Sequence, residues 1–314
     1  AIASFDRALE IDTNDAILHL AKGETLLRIN RHEDAITEFD ATLAIDAENA
    51  QAHRGRGVAL TKLARYEDAV IALDRALENE PANPEILACK GYCLYRLDRF
   101  KEAVESFKKA QKRKPQDPFS LFYRGKALLR LNRFEEAIAS LEKLLSLDDK
   151  NAVGLYYLGT AYAQRSLHDD ALDAYDRALL LDPSCAAAWY TRGGVLCSLD
   201  QFEEAILSYD RALGLNPALQ DAAYKKGRAL AHLGRYEEAV ASFSLALTLG
   251  TAGPALHYHH GLALMAAGRD SEALASLDRS LDLMPDNADT WLAKGETLFR
   301  LEKFDEAVTA FDTT

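Results

Sequence analysis

The fold is decided by residues 186–219, which read AAAWYTRGGVLCSLDQFEEAILSYDRALGLNPAL. Two short helical patterns stand in this stretch, joined by a tight turn at residues 198–201. In the first pattern Trp189, Gly193 and Leu196 fall on one helical face. The second has the i, i+1, i+4, i+7, i+8 spacing of an apolar stripe, formed by Ala205, Ile206, Tyr209, Ala212 and Leu213. The stretch therefore predicts a helix hairpin.

The ends of the second helix are also indicated by the sequence. Asp200 and Glu203 have capping-box spacing, which predicts that this helix begins at Asp200. Pro217 closes the unit because proline cannot continue a helix. One complete unit therefore spans residues 186–219.

Copies of this unit fill the chain. Steps of one unit length from Gly193 reach Gly23, Gly57, Gly91, Gly125, Gly159, Gly227, Gly261 and Gly295. The same step from Ala205 reaches an alanine in every copy from Ala1 to Ala307. No insertion or deletion breaks the register. A helix–turn–helix repeat of about 34 residues with this signature resembles the tetratricopeptide repeat.

The resemblance implies an all-α fold, a right-handed superhelical solenoid of antiparallel helix hairpins. We expect a single continuous array of nineteen helices, since no break in the period separates domains. The first helices are expected to start near residues 16, 50, 84, 118, 152, 186, 220, 254 and 288. The predicted repeats are 1–15 (partial), 16–49, 50–83, 84–117, 118–151, 152–185, 186–219, 220–253, 254–287 and 288–314 (partial).

Features at the helix ends support these boundaries. Good N-cap residues precede many of the starts, namely Asp15, Asn49, Asn83, Asp117, Asn151 and Asn287. The resemblance places Gly193 and its equivalents where the two helices of a hairpin approach most closely. The chain lacks an initiating methionine, so we expect a fragment or a processed chain.

Composition excludes several functional classes. The formal net charge of −12 argues against nucleic-acid binding, which requires a dominant basic surface. Acidic pairs such as Glu67–Asp68 and Glu203–Glu204 fall in the first turns of second helices, where they complement the helix dipole. No apolar run approaches the roughly 20 residues of a membrane span. We expect a cytoplasmic protein without membrane contact.

Chemistry-bearing motifs are sparse. No phosphate loop, dinucleotide fingerprint or nucleophile elbow occurs, so the sequence predicts a chain that is not an enzyme and has no cofactor. Cys89 and Cys93 share a helix face, but a structural role is favoured over a soft-metal site. His257 and His260, at i, i+3, leave a metal or small-ligand site as a minor alternative. No metal-binding residues are assigned.

The resemblance also indicates which residues face the inner groove of the array. Fifth positions of successive first helices carry five consecutive aromatic residues, and further aromatic residues cluster in the third to fifth repeats. Such patches usually mark contacts, although tyrosine at the fifth position can also support neighbouring helices. The predicted partner-binding groove comprises Tyr92, Tyr95, Arg96, Phe119, Phe122, Tyr123, Lys126, Arg130, Tyr156, Tyr157, Tyr190, Tyr224, Arg228 and Tyr258.

Groove positions are mildly positive within an acidic protein. This favours a protein or peptide partner with aromatic or apolar anchors and some acidic residues. The leading hypothesis is therefore a protein–protein interaction scaffold. The alternative is a structural protein that assembles end to end through the open apolar faces of its terminal repeats, at Ile2, Phe5 and Leu9 and at Val308 and Phe311.

Overall fold

The structure is a computed structural model that describes residues 2–313. These residues form nineteen α-helices and no strand, which confirms the all-helical prediction. The helices are α1 (Ile2–Ile11), α2 (Ala16–Arg28), α3 (His32–Ile45), α4 (Ala50–Lys62), α5 (Tyr66–Asn79), α6 (Pro84–Arg96), α7 (Phe100–Arg113), α8 (Pro118–Arg130), α9 (Phe134–Leu145), α10 (Ala152–Gln164), α11 (His168–Leu181), α12 (Ala186–Ser198), α13 (Phe202–Leu215), α14 (Gln220–His232), α15 (Tyr236–Leu249), α16 (Pro254–Ala266), α17 (Asp270–Leu283), α18 (Ala288–Arg300) and α19 (Phe304–Asp312).

The first helix of every hairpin begins at the residue that the sequence predicts. Side-chain oxygens of Asp15, Asn49 and Asn83 accept hydrogen bonds from backbone N–H groups in the first turns of α2, α4 and α6. Asp117, Asn151 and Asn287 do the same for α8, α10 and α18. These bonds satisfy donors that a helix start leaves open, which fixes the boundaries.

The predicted capping box at Asp200 is wrong. Helix α13 begins at Phe202, and its N-cap, Gln201, makes no side-chain cap bond. Asp200 instead lies in the left-handed region, with φ of 56°. Its N–H donates to the carbonyl of Cys197 at 3.2 Å, while the N–H of Gln201 donates to that of Leu196 at 2.9 Å. This is a Schellman motif, so Asp200 ends α12 rather than starting α13.

The turn geometry recurs along the chain. Left-handed residues occupy the equivalent position of other hairpins, and two of them are glycines, the residue that tolerates this conformation best. They are Asn30, Ala64, Asp98, Asn132, Ser166, Gly234, Gly268 and Glu302. The sharp turn after the first helix therefore depends on the left-handed backbone conformation, and several residue types can occupy this position.

Repeated glycines pack directly against the second helix of their own hairpin. A Cβ atom built on Gly193 would lie 2.7 Å from the ring of Tyr209, sixteen residues later. Gly227 has the same relation to Phe243 at 2.7 Å, and Gly57 to Leu73 at 2.7 Å. Tyr209 and Phe243 are fully buried. The glycine is required because the large side chain occupies the space that its own side chain would take.

First turns of the second helices carry the predicted acidic residues, and their role is structural. Asp68, Glu136 and Glu238 each pair with the arginine three residues before, at N–O distances of 2.8, 2.6 and 2.6 Å. All of these side chains are largely exposed. They form solvated ion pairs at helix starts and not catalytic dyads.

The chain divides into two compact units, one ending at Arg165 and the other beginning at Ser166. In the first unit the core includes Leu60, Leu73, Phe107 and Leu128. In the second unit Tyr209 and Phe243 lie in two buried clusters. Within each unit, successive helices pack on one another. That a single array continues through both units remains a prediction.

A matched pair of glycine substitutions tests the packing. Gly193→Ala should lower the free energy of unfolding by about 1–3 kcal/mol, because the added methyl group overlaps the Tyr209 ring. Gly214, in the adjacent helix α13, has nothing within 4 Å of its Cβ position. Gly214→Ala should therefore be neutral or stabilising by up to about 1 kcal/mol. Urea unfolding measures both, and equal effects would contradict the close-contact explanation.

Candidate functional site

Aromatic side chains from α6, α8 and α10 form one connected cluster in the first unit. Tyr92 lies 4.8 Å and Tyr95 lies 5.6 Å from Tyr123 between ring centroids. Phe119 is 4.7 Å from Tyr123. Phe122 is 5.1 Å from Tyr123 and 5.7 Å from Tyr157. Tyr157 is in turn 5.1 Å from Tyr156. The tilted and edge-to-face geometries are those that aromatic rings prefer.

Two second helices extend this cluster with rings that the sequence analysis did not include. Tyr66, the first residue of α5, lies 6.3 Å from Tyr92. Phe100, the first residue of α7, lies 5.6 Å from Tyr95. A signal for them exists, because aromatic residues occupy this position in many of the repeats. We call Tyr66, Tyr92, Tyr95, Phe100, Phe119, Phe122, Tyr123, Tyr156 and Tyr157 the aromatic cluster.

The aromatic cluster is part core and part surface. Tyr92, Tyr95 and Tyr123 are half-buried and pack against the hydrophobic core of the first unit. Burial raises the pKa of the Tyr123 phenol. Phe119 keeps 43% of its surface exposed, more than any other member. The cluster therefore presents rigid aromatic edges to solvent from a base fixed by the core.

Three cations lie over these rings. The Arg96 guanidinium is 4.7 Å from the centroid of Tyr66 and donates a hydrogen bond of 2.8 Å to the Tyr92 hydroxyl. The Arg130 guanidinium lies 4.6 Å above Phe100, with the Asp98 carboxylate 3.8 Å away. Cations over aromatic faces are attracted by the ring quadrupole, which holds them in place without neutralising them.

Lys126 occupies the middle of the aromatic cluster. Its Nζ lies 4.7 Å from the Tyr157 centroid and 5.3–5.6 Å from those of Phe122, Tyr95 and Tyr123. Burial opposes the charge, but the phenol oxygens of Tyr157 and Tyr95 outweigh it and raise the pKa of Lys126. The ammonium group stays protonated at neutral pH.

Neither Arg96 nor Lys126 has an acidic partner among the residues that the structure describes. Across residues 2–313 no carboxylate lies within 4.0 Å of either side chain. Lys22 and Arg56, by contrast, contact Asp6 and Asp40 at 2.7 and 2.6 Å. The aromatic cluster thus contains two fixed positive charges without counter-ions.

A cavity of about 610 Å³ opens beside the aromatic cluster. Its lining includes the rings of Tyr66, Tyr92, Phe119 and Tyr123, together with Ala88 and Cys89. Lys62, Arg96 and Lys114 bring positive charge to the lining, while Glu85 and Asp117 are the acidic residues in it. Asp117 is engaged in capping α8. An apolar cavity of this size is typical of a ligand site.

In the second unit the predicted groove residues are not stacked on one another. Tyr190 packs against the buried ring of Tyr209 at 6.2 Å, and Tyr224 packs against Phe243 at 5.9 Å. Tyr224 also shares a hydrogen bond of 3.2 Å with Nδ1 of His259. Tyr258 lies 5.3 Å from the same imidazole. Arg228 is exposed. Tyr190 and Tyr224 thus lie over a buried ring from the second helix of their own repeat, and Tyr224 and Tyr258 contact the His259 imidazole.

The minor metal alternatives gain no support from the geometry. Both ring nitrogens of His260 have hydroxyl partners, Ser244 at 3.1 Å and Ser276 at 3.0 Å. Burial lowers the pKa of His257 and of His260. Cys93 is fully buried, with its sulfur 3.0 Å from the Thr61 hydroxyl. The part of the chain that the structure describes contains no group of three or more potential metal ligands.

Comparison with family models identifies the repeat. The tetratricopeptide repeat model matches residues 20–84, 122–183, 156–219, 198–255 and 258–314. The chain belongs to the tetratricopeptide repeat family. A model described as anaphase-promoting complex, cyclosome, subunit 3 matches residues 62–144. A comparison with curated proteins gave no match.

Solved structures share the tetratricopeptide fold. YrrB, described as a TPR protein with an unusual peptide-binding site, is 24% identical, with a TM-score of 0.57 over 61% of this chain and 99% of its own. MamA is 30% identical, with a TM-score of 0.51 over 53% of this chain and 91% of its own. A chain of the APC/C hetero-tetramer Cut9–Hcn1 is 17% identical, with a TM-score of 0.56 over 94% of this chain and 59% of its own. None of the nineteen helices is long and apolar enough to cross a membrane.

The division of the aromatic cluster into core and surface can be measured. Tyr123→Ala should lower the free energy of unfolding by about 2 kcal/mol or more, because its half-buried ring joins the core to Tyr92 and Tyr95. Phe119→Ala should cost less than about 1 kcal/mol, since this ring is 43% exposed. Equal losses in chemical denaturation would show that Phe119 is a structural residue and not a surface for contacts.

Proposed function

We propose that this chain is a non-enzymatic interaction scaffold whose aromatic cluster binds an acidic protein segment with aromatic or apolar anchors. The observation that carries the proposal is the pair Arg96 and Lys126, two cations fixed over aromatic rings with no carboxylate within 4.0 Å among residues 2–313. A tetratricopeptide fold hosts many partners, so the choice among them rests on this site.

The unpaired cations favour an acidic partner. Lys126 is half-buried and Arg96 is exposed, and neither has the neutralisation that Lys22 has at Asp6 and Glu38. A carboxylate brought by a partner would complete both interactions, and it would be guided to them by the field of the cations. Acidic residues elsewhere on the surface would repel that partner and so restrict it to this region.

The cavity favours an aromatic or apolar anchor beside the acidic residues. Its walls are aromatic edges held by the core, so a side chain that enters it displaces water without ordering flexible groups. Lys62, Arg96 and Lys114 line the same cavity, which places the positive charge next to the apolar contact. YrrB is described as having a peptide-binding site, which supports a peptide as the class of partner.

Selection from a random peptide library against the full chain tests the proposal. Enriched peptides should combine Asp or Glu with an aromatic or large apolar residue. Lys126→Gln should slow association with such a peptide several-fold at low salt and have a smaller effect at high salt, because the charge steers the encounter. Tyr92→Ala should cost about 2 kcal/mol of binding if its ring is an anchor.

Lys90→Gln is the matched control, since Lys90 is paired with Asp74 whereas Lys126 has no carboxylate partner among the described residues. Its peptide affinity should equal that of the unchanged chain. Basic peptides among the enriched sequences, or equal losses for Lys90→Gln and Lys126→Gln, would contradict the proposal.

Self-association is the second candidate function. Phe299 and Phe304 contact each other at 5.5 Å, yet they are 60% and 54% exposed. Val308 is 58% exposed, and Phe311 is also exposed, whereas Leu9 at the other end is buried and Ile2 and Phe5 are half-buried. The apolar faces named in the sequence analysis are thus more open near α19 than near α1.

Light scattering over a concentration series separates the two candidates. If the exposed rings mediate self-association, the weight-average mass should rise with concentration, and Phe299→Ser with Phe304→Ser should abolish the rise by removing apolar surface. A mass that stays at that of the monomer throughout would remove the self-assembly alternative and leave the scaffold proposal untouched.

A further inference from the structure

We propose that the second unit contains a separate binding site for a phosphate group, formed by Lys225, Arg228 and His232 of α14. The phosphate would be free or carried by a phosphorylated side chain of a partner. This site lies outside the aromatic cluster and uses different chemistry, so it does not depend on the function proposed above.

The three side chains share one face of their helix. Their spacing of i, i+3 and i+7 places them in a row along α14. A cavity of about 310 Å³ is lined by all three. A second cavity of about 340 Å³ is lined by Arg228 and His232 together with His259, Tyr236 and Phe243. Arg228 and His232 therefore line both cavities.

Lys225 and Arg228 form no ion pair with the other described residues of the second unit. Lys226, the next residue, contacts Asp210 at 2.6 Å, and Arg192 contacts Asp176 at 2.6 Å. Neither Lys225 nor Arg228 has a carboxylate within 4.0 Å among residues 166–313. Other cations of the unit that do have such partners are Arg177, Arg235, Arg269, Arg279, Lys294, Arg300 and Lys303.

Aromatic rings hold two of the three groups in position. The Lys225 ammonium lies 4.6 Å from the centroid of Tyr190. The His232 imidazole is stacked on the Phe202 ring, with centroids 4.7 Å apart and planes inclined by 3°. Stacking restricts both groups without occupying their hydrogen-bond donors, so the order needed for binding exists before a ligand arrives.

The absence of a side chain at Gly194 leaves space beside the cations of this row. This residue of α12 faces Lys225, and the single atom within 4 Å of its Cβ position is Nζ of Lys225 at 3.9 Å. The equivalent residue is Glu24 in the first complete repeat and Glu296 in the last. A glutamate at residue 194 could reach the cations and neutralise them, whereas glycine leaves them open to a ligand.

Three separate donors suit a phosphate better than a carboxylate. A phosphate monoester carries about −1.5 to −2 charges and three strong acceptor oxygens. Arginine binds such oxygens through two parallel hydrogen bonds, and lysine adds a compact charge. A carboxylate would satisfy the Arg228 fork alone. Asp200 is the one acidic residue lining the smaller cavity, and its side chain is exposed at the turn after α12.

Titration of the full chain with phosphate probes, followed by NMR of the histidine side chains, tests the site. Inorganic phosphate and a phosphoserine peptide should bind saturably and shift the His232 resonances, and acetate at equal concentration should not. Tighter binding of the phosphoserine peptide than of inorganic phosphate would assign the site to phosphorylated partners, and the reverse order would assign it to free phosphate.

Charge variants locate the site. Lys225→Gln combined with Arg228→Gln should weaken phosphate binding at least about tenfold, because both cations of the row are lost and only the His232 imidazole remains. Lys226→Gln is the matched control, because Lys226 lies on the same helix but is paired with Asp210. Arg211→Gln is a second control, which removes a cation that lines other cavities. Both controls should bind normally, as should Arg96→Gln with Lys126→Gln, which alters the aromatic cluster alone.

Gly194→Glu provides a test that misfolding cannot mimic. The new side chain has room, so the variant should unfold at the same or a higher temperature while phosphate binding is lost. Absence of saturable binding in the unchanged chain would overturn the proposal. So would equal binding of acetate, equal losses in the Lys226→Gln control, or full phosphate affinity in a folded Gly194→Glu variant.

Discussion

The contact between a glycine of the first helix and a large side chain sixteen residues later is the constraint on which the rest of the structure depends. Tyr209 against Gly193 and Phe243 against Gly227 fill the space that a side chain at the glycine would take, and so hold the two helices of each hairpin together. The contact recurs with the period of the repeat, so within each unit the hairpins that contain it pack alike, while other positions of the first helix lie outside it. The side chains at those positions are then free to differ, and the proposed sites lie there.

Two chemically different surfaces result from this freedom. In the first unit, aromatic residues on α6, α8 and α10 contact one another and surround Lys126. In the second unit, the tyrosines lie over Tyr209, Phe243 and His259, and the open face of α14 carries cations instead. A feature common to both units is a cation held by aromatic rings with no internal counter-ion, seen at Lys126 and Lys225.

The sequence predicted the fold well because the repeat is strict and its helix ends carry specific signals. Asn83 and Pro84 mark the start of α6 both in the sequence and in the structure. Asp200 was misread because an acidic residue three positions before glutamate fits a capping box, and only the backbone reveals its left-handed conformation. Tyr66 and Phe100 were missed as site residues because they lie on second helices, which the groove positions of the family do not include.

Charge placement was harder to predict, since it depends on which carboxylates reach which cations. The sequence counts acidic and basic groove residues, but only the structure shows that Lys90 is paired and Lys126 is not. The most direct test of this account is a crystal structure of the chain bound to a selected acidic peptide. The account predicts peptide carboxylates within about 4 Å of Arg96 and Lys126 and an apolar side chain in the cavity beside Tyr92. A peptide bound elsewhere, with both cations still unpaired, would contradict it.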